Sequence, residues 1–434
     1  MPTAADHSPD STPPRRSRAI AGGVIGNLFE WYDFTIYGFF APVIAVEFFG
    51  DGDGTAGLLK AFAVFAVGYL GRPLGAVIFG LIGDRLGRKV ALLVSLAVMA
   101  VPTLGMVLIP TWQSVGILSP ILLVLFRLVQ GISIGGEFTG AVSYLSEQAA
   151  SRHRGLCGAL TVSTAMLGIL MGSLVFTIME STMSTEALQG WAWRVAFGGG
   201  LLILFAAGWV RWGMPVSSHF QEAKAAGTLV AQPVRTCFRS YRREIGYAML
   251  LIAVPSMICY AVTISMAEFL HREVHMPRAS AGLIVTIAIV LSVVIPLISG
   301  ALSDRFGRRP FIRISFLGVV IWAIPMYALA GTGNMVLVWV AVLVGAVLLG
   351  IMQGAYPAAL SELFPTSVRY TGTSIVYNIC FAVLGGTFPL AATWLIDITG
   401  QVTAPGWYLG GVSLLVLIFI WRMPETAKSS LRSD

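Results

Sequence analysis

The sequence predicts an all-α integral membrane protein whose twelve spanning helices form two six-helix pseudo-repeats. Three observations carry this: an apolar excess, twelve apolar runs of bilayer length, and one set of charged landmarks that occurs twice. Of 434 residues, 56% are apolar and 11% charged, against about a quarter charged in soluble proteins. The 28 Lys and Arg and 21 Asp and Glu cannot clothe a chain of this size in a hydrated shell, so most of its apolar surface faces lipid. The net charge of +7 does not point to nucleic acid, because the basic residues fall in short clusters between apolar runs, as in loops at an inner membrane face. Cys157, Cys237, Cys259 and Cys380 are scattered without metal-ligand or disulfide-framework spacing and read as packing residues.

Residues 1–19, rich in Pro, Ser, Asp and Arg, read as a disordered tail. The next apolar stretch is too long for a signal peptide and carries Glu30 and Asp33. A helix needs about 20 residues to cross a hydrocarbon core of about 30 Å. Runs of that length cover 20–48, 57–82, 90–109, 118–146, 156–179 and 191–212. After the polar segment 213–243 they resume over 245–271, 279–302, 311–330, 335–361, 372–397 and 405–422. The chain therefore divides into an N-terminal bundle (20–212), a central inner loop (213–243), a C-terminal bundle (244–422) and a short tail (423–434).

Charge sets the orientation. With both termini inside, 22 of the 28 Lys and Arg lie on the inner side and only Lys60, Arg194, Arg272 and Arg278 on the outer, while Arg72 and Arg127 fall within apolar runs. Gly83-Asp84-Arg85-Leu86-Gly87-Arg88-Lys89 follows the second helix, and Ser303-Asp304-Arg305-Phe306-Gly307-Arg308-Arg309 follows the eighth, 220 residues later. Glu147 and Arg154 match Glu362 and Arg369 at an offset of 215. Two landmarks at nearly one offset indicate duplication of a six-helix unit in parallel topology.

The paired DRxGR loops on a six-plus-six frame resemble the major facilitator superfamily. Asn27–Phe34 (NLFEWYDF), Arg72-Pro73-Leu74-Gly75, Arg127–Gly140 (RLVQGISIGGEFTG) and Trp193-Arg194 resemble its metabolite:proton symporter branch, bacterial carriers of organic acids and zwitterionic osmolytes. Val216-Ser217-Ser218-His219-Phe220 departs from the Glu-Ser/Thr-Pro-x-Phe stretch usual there.

No Gly-Lys dipeptide occurs, which excludes a Walker-type phosphate loop and leaves secondary transport. An ionised side chain inside a span costs on the order of 3 kcal/mol, so each needs a reason. Glu30 and Asp33 lie three apart on the first helix, and close carboxylates favour one shared proton, which suits proton coupling; a structural pair, or pairing with Arg72, is the competing reading. Arg127, Gln130, Gly131, Ile134 and Phe138 form one stripe of the fourth helix. A guanidinium grips a carboxylate bidentately, which makes Arg127 the candidate substrate contact, against an internal ion pair. Glu137, beside Gly135-Gly136, is a third coupling candidate. Arg72 is a structural partner of helix one or a substrate contact, and Gly71xxxGly75 offers a small packing face. Tyr37, Gln353, Tyr377 and Asn378, with Gln130, are candidates to complete a central site. The resemblance implies that Asp84, Arg85, Gly87, Arg88, Asp304, Arg305, Gly307 and Arg308 form an inner latch that opens as the halves rock.

These features predict import of a small carboxylate-bearing metabolite, an organic acid, with protons by alternating access in the inner membrane. A zwitterionic osmolyte, drug efflux and a non-transporting membrane sensor are the alternatives. Helix five reads Gly168-Ile-Leu-Met-Gly172-Ser-Leu, without the Pro of the GxxxGPxxGG stretch of drug antiporters. The expected partners are the substrate and membrane lipid, with no nucleic acid, no obligate protein partner, no metal, and no cofactor apart from the proton.

Overall fold

The computed structural model describes residues 13–50, 54–86, 88–136, 138–142, 151–212, 233–365 and 368–427. Among the described residues ten helices are long and apolar enough to cross a membrane, a bent pair makes an eleventh span, and the shorter apolar helix Ala404–Ile420 brings the segments to twelve. Those of the N-terminal half are α1 (Gly26–Phe39 continuing as Ala41–Phe49), α2 (Thr55–Ile82), α3 (Val90–Leu108), α4 (Leu118–Val142), α5 (Arg154–Thr182) and α6 (Thr185–Trp209). The C-terminal half holds α7 (Arg242–Arg272), α8 (Arg278–Phe306), α9 (Arg308–Ala330), α10 (Met335–Leu363), α11 (Arg369–Thr399) and α12 (Ala404–Ile420).

The boundaries differ from the sequence reading where local chemistry intervenes. Helical backbone starts at Pro13, inside the tail expected to be disordered; proline is tolerated in a first turn, where the missing N–H has no intrahelical partner anyway. The first span is bent by 65° around Phe40, because Pro42 in the second piece cannot donate to the preceding turn. π-helical turns interrupt α6 at Leu188–Ala192, α7 at Ala261–Ser265 and α11 at Phe381–Gly385. Within the central loop, residues Pro233–Ser240 are helical.

The halves meet where α5 packs on α8 and α10, and α2 on α11. Their outward faces are apolar: on α6, Leu202, Phe205 and Trp209 are each more than 70% exposed, the face a helix presents to lipid. Inside the N-terminal half, small residues let backbones touch. A Cβ on Gly131 would lie 1.7 Å from the carbonyl oxygen of Gly68, and one on Gly75 1.8 Å from that of Ile132. The Gly71xxxGly75 face thus packs on α4, with Gly68 against Arg127 and Gly135 against the backbone of Arg72.

Candidate functional site

Three of the predicted site residues form a chain around Asp33. The fully buried Arg127 donates from Nη1 to Gln130 Oε1 at 2.9 Å and from Nη2 to the carbonyl of Phe34 at 3.2 Å. Gln130 Nε2 then donates to Asp33 Oδ2 at 2.8 Å, and Thr103 Oγ1 donates to the same oxygen at 3.1 Å. Gln130 therefore bridges Arg127 and Asp33. The other oxygen, Asp33 Oδ1, is buried and has no hydrogen-bond partner among the described residues. The Arg127 guanidinium lies 4.1 Å from the ring of Phe34 and 4.4 Å from that of Tyr37, whose hydroxyl donates to Ala61 O at 3.1 Å. All these groups belong to the N-terminal half. The predicted substrate contact is enclosed by its own bundle.

Arg72 has the opposite setting. Its guanidinium stands between the halves within 5.3–5.9 Å of the ring centres of Trp31 and Tyr69 from the N-terminal half and Tyr377 and Phe381 from the C-terminal half. Nε donates to Asn378 Oδ1 at 3.0 Å, and Nη2 lies 3.8 Å from Glu30 Oε1. Phe138 stacks on Tyr377 with centroids 4.4 Å apart, Tyr377 leans on Phe381 at 4.3 Å, and Tyr69 meets Tyr260 edge-on with their hydroxyls in hydrogen-bond contact. The result is an aromatic box around a cation. Its floor is held at the Gly135-Gly136 turn of α4, whose carbonyls bond across to the other half although Gly136 O also accepts from Gly140 N. Those carbonyls accept from Asn378 Nδ2 (2.6 Å), Ser374 Oγ (3.2 Å) and Tyr370 Oη (2.8 Å) of α11.

This geometry separates residues that the sequence grouped. Glu30 turns to Arg72 and Asp33 to Gln130 and Thr103, so the two carboxyls serve different arginines rather than sharing one site. Three residues along a helix leave the two about 60° apart on one face, so it is the partners on α2 and on α3 and α4 that separate them. Gln353 lies away from the box, its Nε2 at 3.6 Å from Met166 Sδ between α10 and α5. Glu137 lies outside the described residues. Trp31, Tyr69, Tyr260 and Phe381 are site residues that sequence reasoning misses. Their one sequence signal is the placing of aromatic residues next to the charges, in NLFEWYDF and beside Arg72.

At the end that the charge pattern places inside, Asp304 of the second DRxGR loop caps the first turn of α5 across the interface. Its two oxygens accept from Gly155 N at 2.8 Å and Leu156 N at 3.0 Å. A carboxylate is favoured there by the orphan amides and dipole of a helix start. Arg308 Nη2 ties Asp304 (2.9 Å) to Glu362 (3.2 Å), and Thr426 Oγ1 donates to Glu362 at 2.7 Å. Gly307 makes the turn at φ +94°, ψ 164°, a region open essentially to glycine alone. Glu425 accepts from Arg308 N and Arg309 N at 2.8 and 3.0 Å. Burial works against its carboxylate, but the N–H groups of Ala427, Arg308, Arg309 and Thr426 hold it below the usual range. Arg305 is exposed. In the first loop Gly87, and the side chains of Asp84, Arg85 and Arg88, lie outside the described residues.

Comparison with known proteins agrees with this architecture. The family model described as Major Facilitator Superfamily matches residues 23–389 and 249–434. The proline/betaine transporter of Escherichia coli K12 is 30% identical over 427 residues, 96% of this chain and 85% of that protein. The ectoine/proline transporter ProP of Corynebacterium glutamicum is 32% identical over 435 residues (96% and 86%). The inner membrane metabolite transport protein YhjE of Escherichia coli K12 is 32% identical over 437 residues (99% of each). Among solved structures, the xylose transporter XylE of E. coli in a partially occluded inward-open conformation superposes with a TM-score of 0.77 at 17% identity, covering 96% of this chain and 100% of that one. The twelve-helix frame, the duplicated charged loops and these matches over nearly the whole length place the chain in the major facilitator superfamily.

Proposed function

We propose that the protein is a proton-coupled secondary transporter that imports a zwitterionic osmolyte of the betaine or proline class. The observation that carries this reading is the aromatic box of Trp31, Tyr69, Tyr377 and Phe381 around the Arg72 guanidinium at the interface of the halves. A cation over several aromatic faces gains about 0.5–2 kcal/mol per favourable contact, most when desolvated. In this conformation Arg72 takes that place. An arriving zwitterion offers both halves of an exchange: its ammonium enters the box, and its carboxylate takes the displaced guanidinium bidentately. An organic anion would satisfy Arg72 and leave the box without a cation. The named relatives favour the osmolyte in the same direction, so it replaces the organic acid expected from Arg127.

Coupling is assigned to Asp33, with its buried, unpartnered oxygen, linked through Gln130 to Arg127. Protonation of Asp33 weakens its hold on Gln130, and that relay runs to α1 beside Trp31. The Asp304 latch closes the inner end and must part for release. We place the chain in the inner membrane with both termini inside, as the basic loops indicate.

The test is uptake by purified protein in sealed vesicles. Radiolabelled glycine betaine or proline should accumulate when the outside is acidified and stop accumulating with a protonophore. Uptake that follows Na+ and ignores the protonophore would overturn the coupling; uptake of dicarboxylates but of no zwitterion would overturn the substrate class.

A further inference from the structure

We propose that the short helix Pro233–Ser240, with the first turn of α7, is a docking surface for the headgroups of anionic phospholipids. The helix is two-sided. Arg235, Phe238 and Arg239 fall at i, i+3 and i+4 on it, and Arg242 and Arg243 open α7 after the break at Tyr241; all five are exposed. Val234 and Cys237 lie on the neighbouring stripe and, with Tyr241 at the break, are buried or half-buried. Cys237 docks against the protein with 1% exposure, and the helix packs on α11 and α7. Burial, with the Glu244 charge adding, pushes the Cys237 thiol up to about 11, so this face stays neutral and apolar. The Arg242 Nε–H donates to Phe238 O at 3.1 Å, which fixes the helix at a set angle to the start of α7.

Position and charge identify the occupant. Arg242 opens a spanning helix, so the patch lies at the level where that helix meets the headgroups of the leaflet facing the basic loops. A bare topological signal explains basic residues near a span. It does not require Arg235 and Arg239 on one exposed stripe with an aromatic ring between them and a docked face beside it. That arrangement is the one an amphipathic segment uses to lie on an anionic surface, with Phe238 (46% exposed) reaching the acyl boundary. Attraction to an anionic leaflet changes affinity about fivefold for each arginine near the surface. Because the helix rests on α11, which supplies Tyr377, Asn378 and Phe381 to the box, a bound headgroup steadies the inner end of the element that moves.

The experiment uses the full chain in detergent, titrated with short-chain phosphatidylglycerol or phosphatidylcholine while lipid retention is read by native mass spectrometry. The parent should retain phosphatidylglycerol in preference, and the preference should shrink steeply between low and high salt. The triple variant R235Q/R239Q/R242Q should lose it by about a hundredfold while keeping the parent's melting midpoint in phosphatidylcholine. R235K/R239K/R242K should keep most of it, since surface attraction needs charge and not the planar fork. Inorganic phosphate should not compete at millimolar concentration; full competition would assign the patch to a soluble anion and overturn the lipid. Equal retention of both lipids by the parent, or undiminished phosphatidylglycerol retention by a folded Gln variant, would also overturn it. Should the Gln variant fail to fold, the salt dependence of the parent still decides.

Discussion

Arg72 of the N-terminal half donates its Nε–H to the side-chain oxygen of Asn378 of the C-terminal half at 3.0 Å, in a layer of aromatic rings drawn from both. This bond joins the two bodies at the point where a ligand would have to intervene. Under the proposed function Arg72 is both a closing contact and the group that receives the carboxylate, and the two roles are exchanged when substrate enters.

The two buried arginines should therefore respond differently to the same substitution. Both variants should melt lower, Arg72→Gln because Glu30 loses its buried cation and Arg127→Gln because Gln130 and the Phe34 carbonyl lose their donor. Folded Arg72→Gln should in addition lose about tenfold to more than a hundredfold in betaine affinity, the equivalent of about 1.5–3 kcal/mol for a charge-assisted hydrogen bond, and Arg127→Gln should not. Calorimetry of the two purified variants separates these outcomes; a stable Arg127→Gln with abolished binding would reverse the assignment.

The box should discriminate by ring chemistry. Tyr377→Leu keeps bulk and removes a π face, and should weaken betaine more than it weakens a secondary-amine zwitterion such as proline, whose cation is smaller and better served by hydrogen bonds. Equal losses for both ligands, measured by competition binding, would reduce Tyr377 to packing.

Asp304→Asn keeps one acceptor and removes the charge from the start of α5, so the inner end should open more often. The readout is labelling of a single cysteine at Ala159, which is buried against Gly300, in a background with the four native cysteines replaced. Labelling by an impermeant reagent should speed up several-fold. An unchanged rate would make the Asp304 contacts incidental to closure.

The frame was legible in the sequence because its determinants are additive over many residues. Twelve apolar runs and a doubled DRxGR loop each repeat their message, and the helices stand where those runs do. The site was legible only in part. Arg72 and Asn378 lie 306 positions apart, and nothing local to either announces the other. The stripe on α4 correctly grouped Arg127 with Gln130, yet periodicity gives a direction within one helix and not which bundle closes over it. Glu30 and Asp33 were grouped by spacing, and their separate partners, Arg72 of α2 for the one and Gln130 of α4 with Thr103 of α3 for the other, parted them.

Close backbone contact gives a stability prediction. Gly131→Ala would drive a methyl group to 1.7 Å from the Gly68 carbonyl oxygen, with backbone on both sides unable to yield. Overpacking of this kind costs about 1–3 kcal/mol, so the detergent-solubilised variant should melt several degrees lower. A parental midpoint would mean that α2 and α4 separate more easily than their packing implies.

Glu425 sets a pH dependence. Its folded pKa lies below the ordinary carboxylate value of about 4.3. Its stabilising contribution is therefore complete above that value and is lost as pH falls through the lower folded one. The melting midpoint of the parent should drop on acidification below about pH 4 more than that of Glu425→Gln. Parallel curves for the two proteins would remove Glu425 from the account.

The central claim is that one site between the halves takes both charges of a zwitterion, the cation in the aromatic box and the carboxylate on Arg72. The most direct measurement is equilibrium binding of glycine betaine, and of the dicarboxylate succinate, to the purified parent and to Arg72→Gln, followed by ligand-induced thermal stabilisation. A ligand at 100 times its Kd should stabilise the folded state by about 2.7 kcal/mol. The account predicts that betaine stabilises the parent, that succinate does so far less, and that Arg72→Gln loses the betaine effect. Stabilisation of the parent by succinate alone, or a betaine effect undiminished in Arg72→Gln, would contradict it.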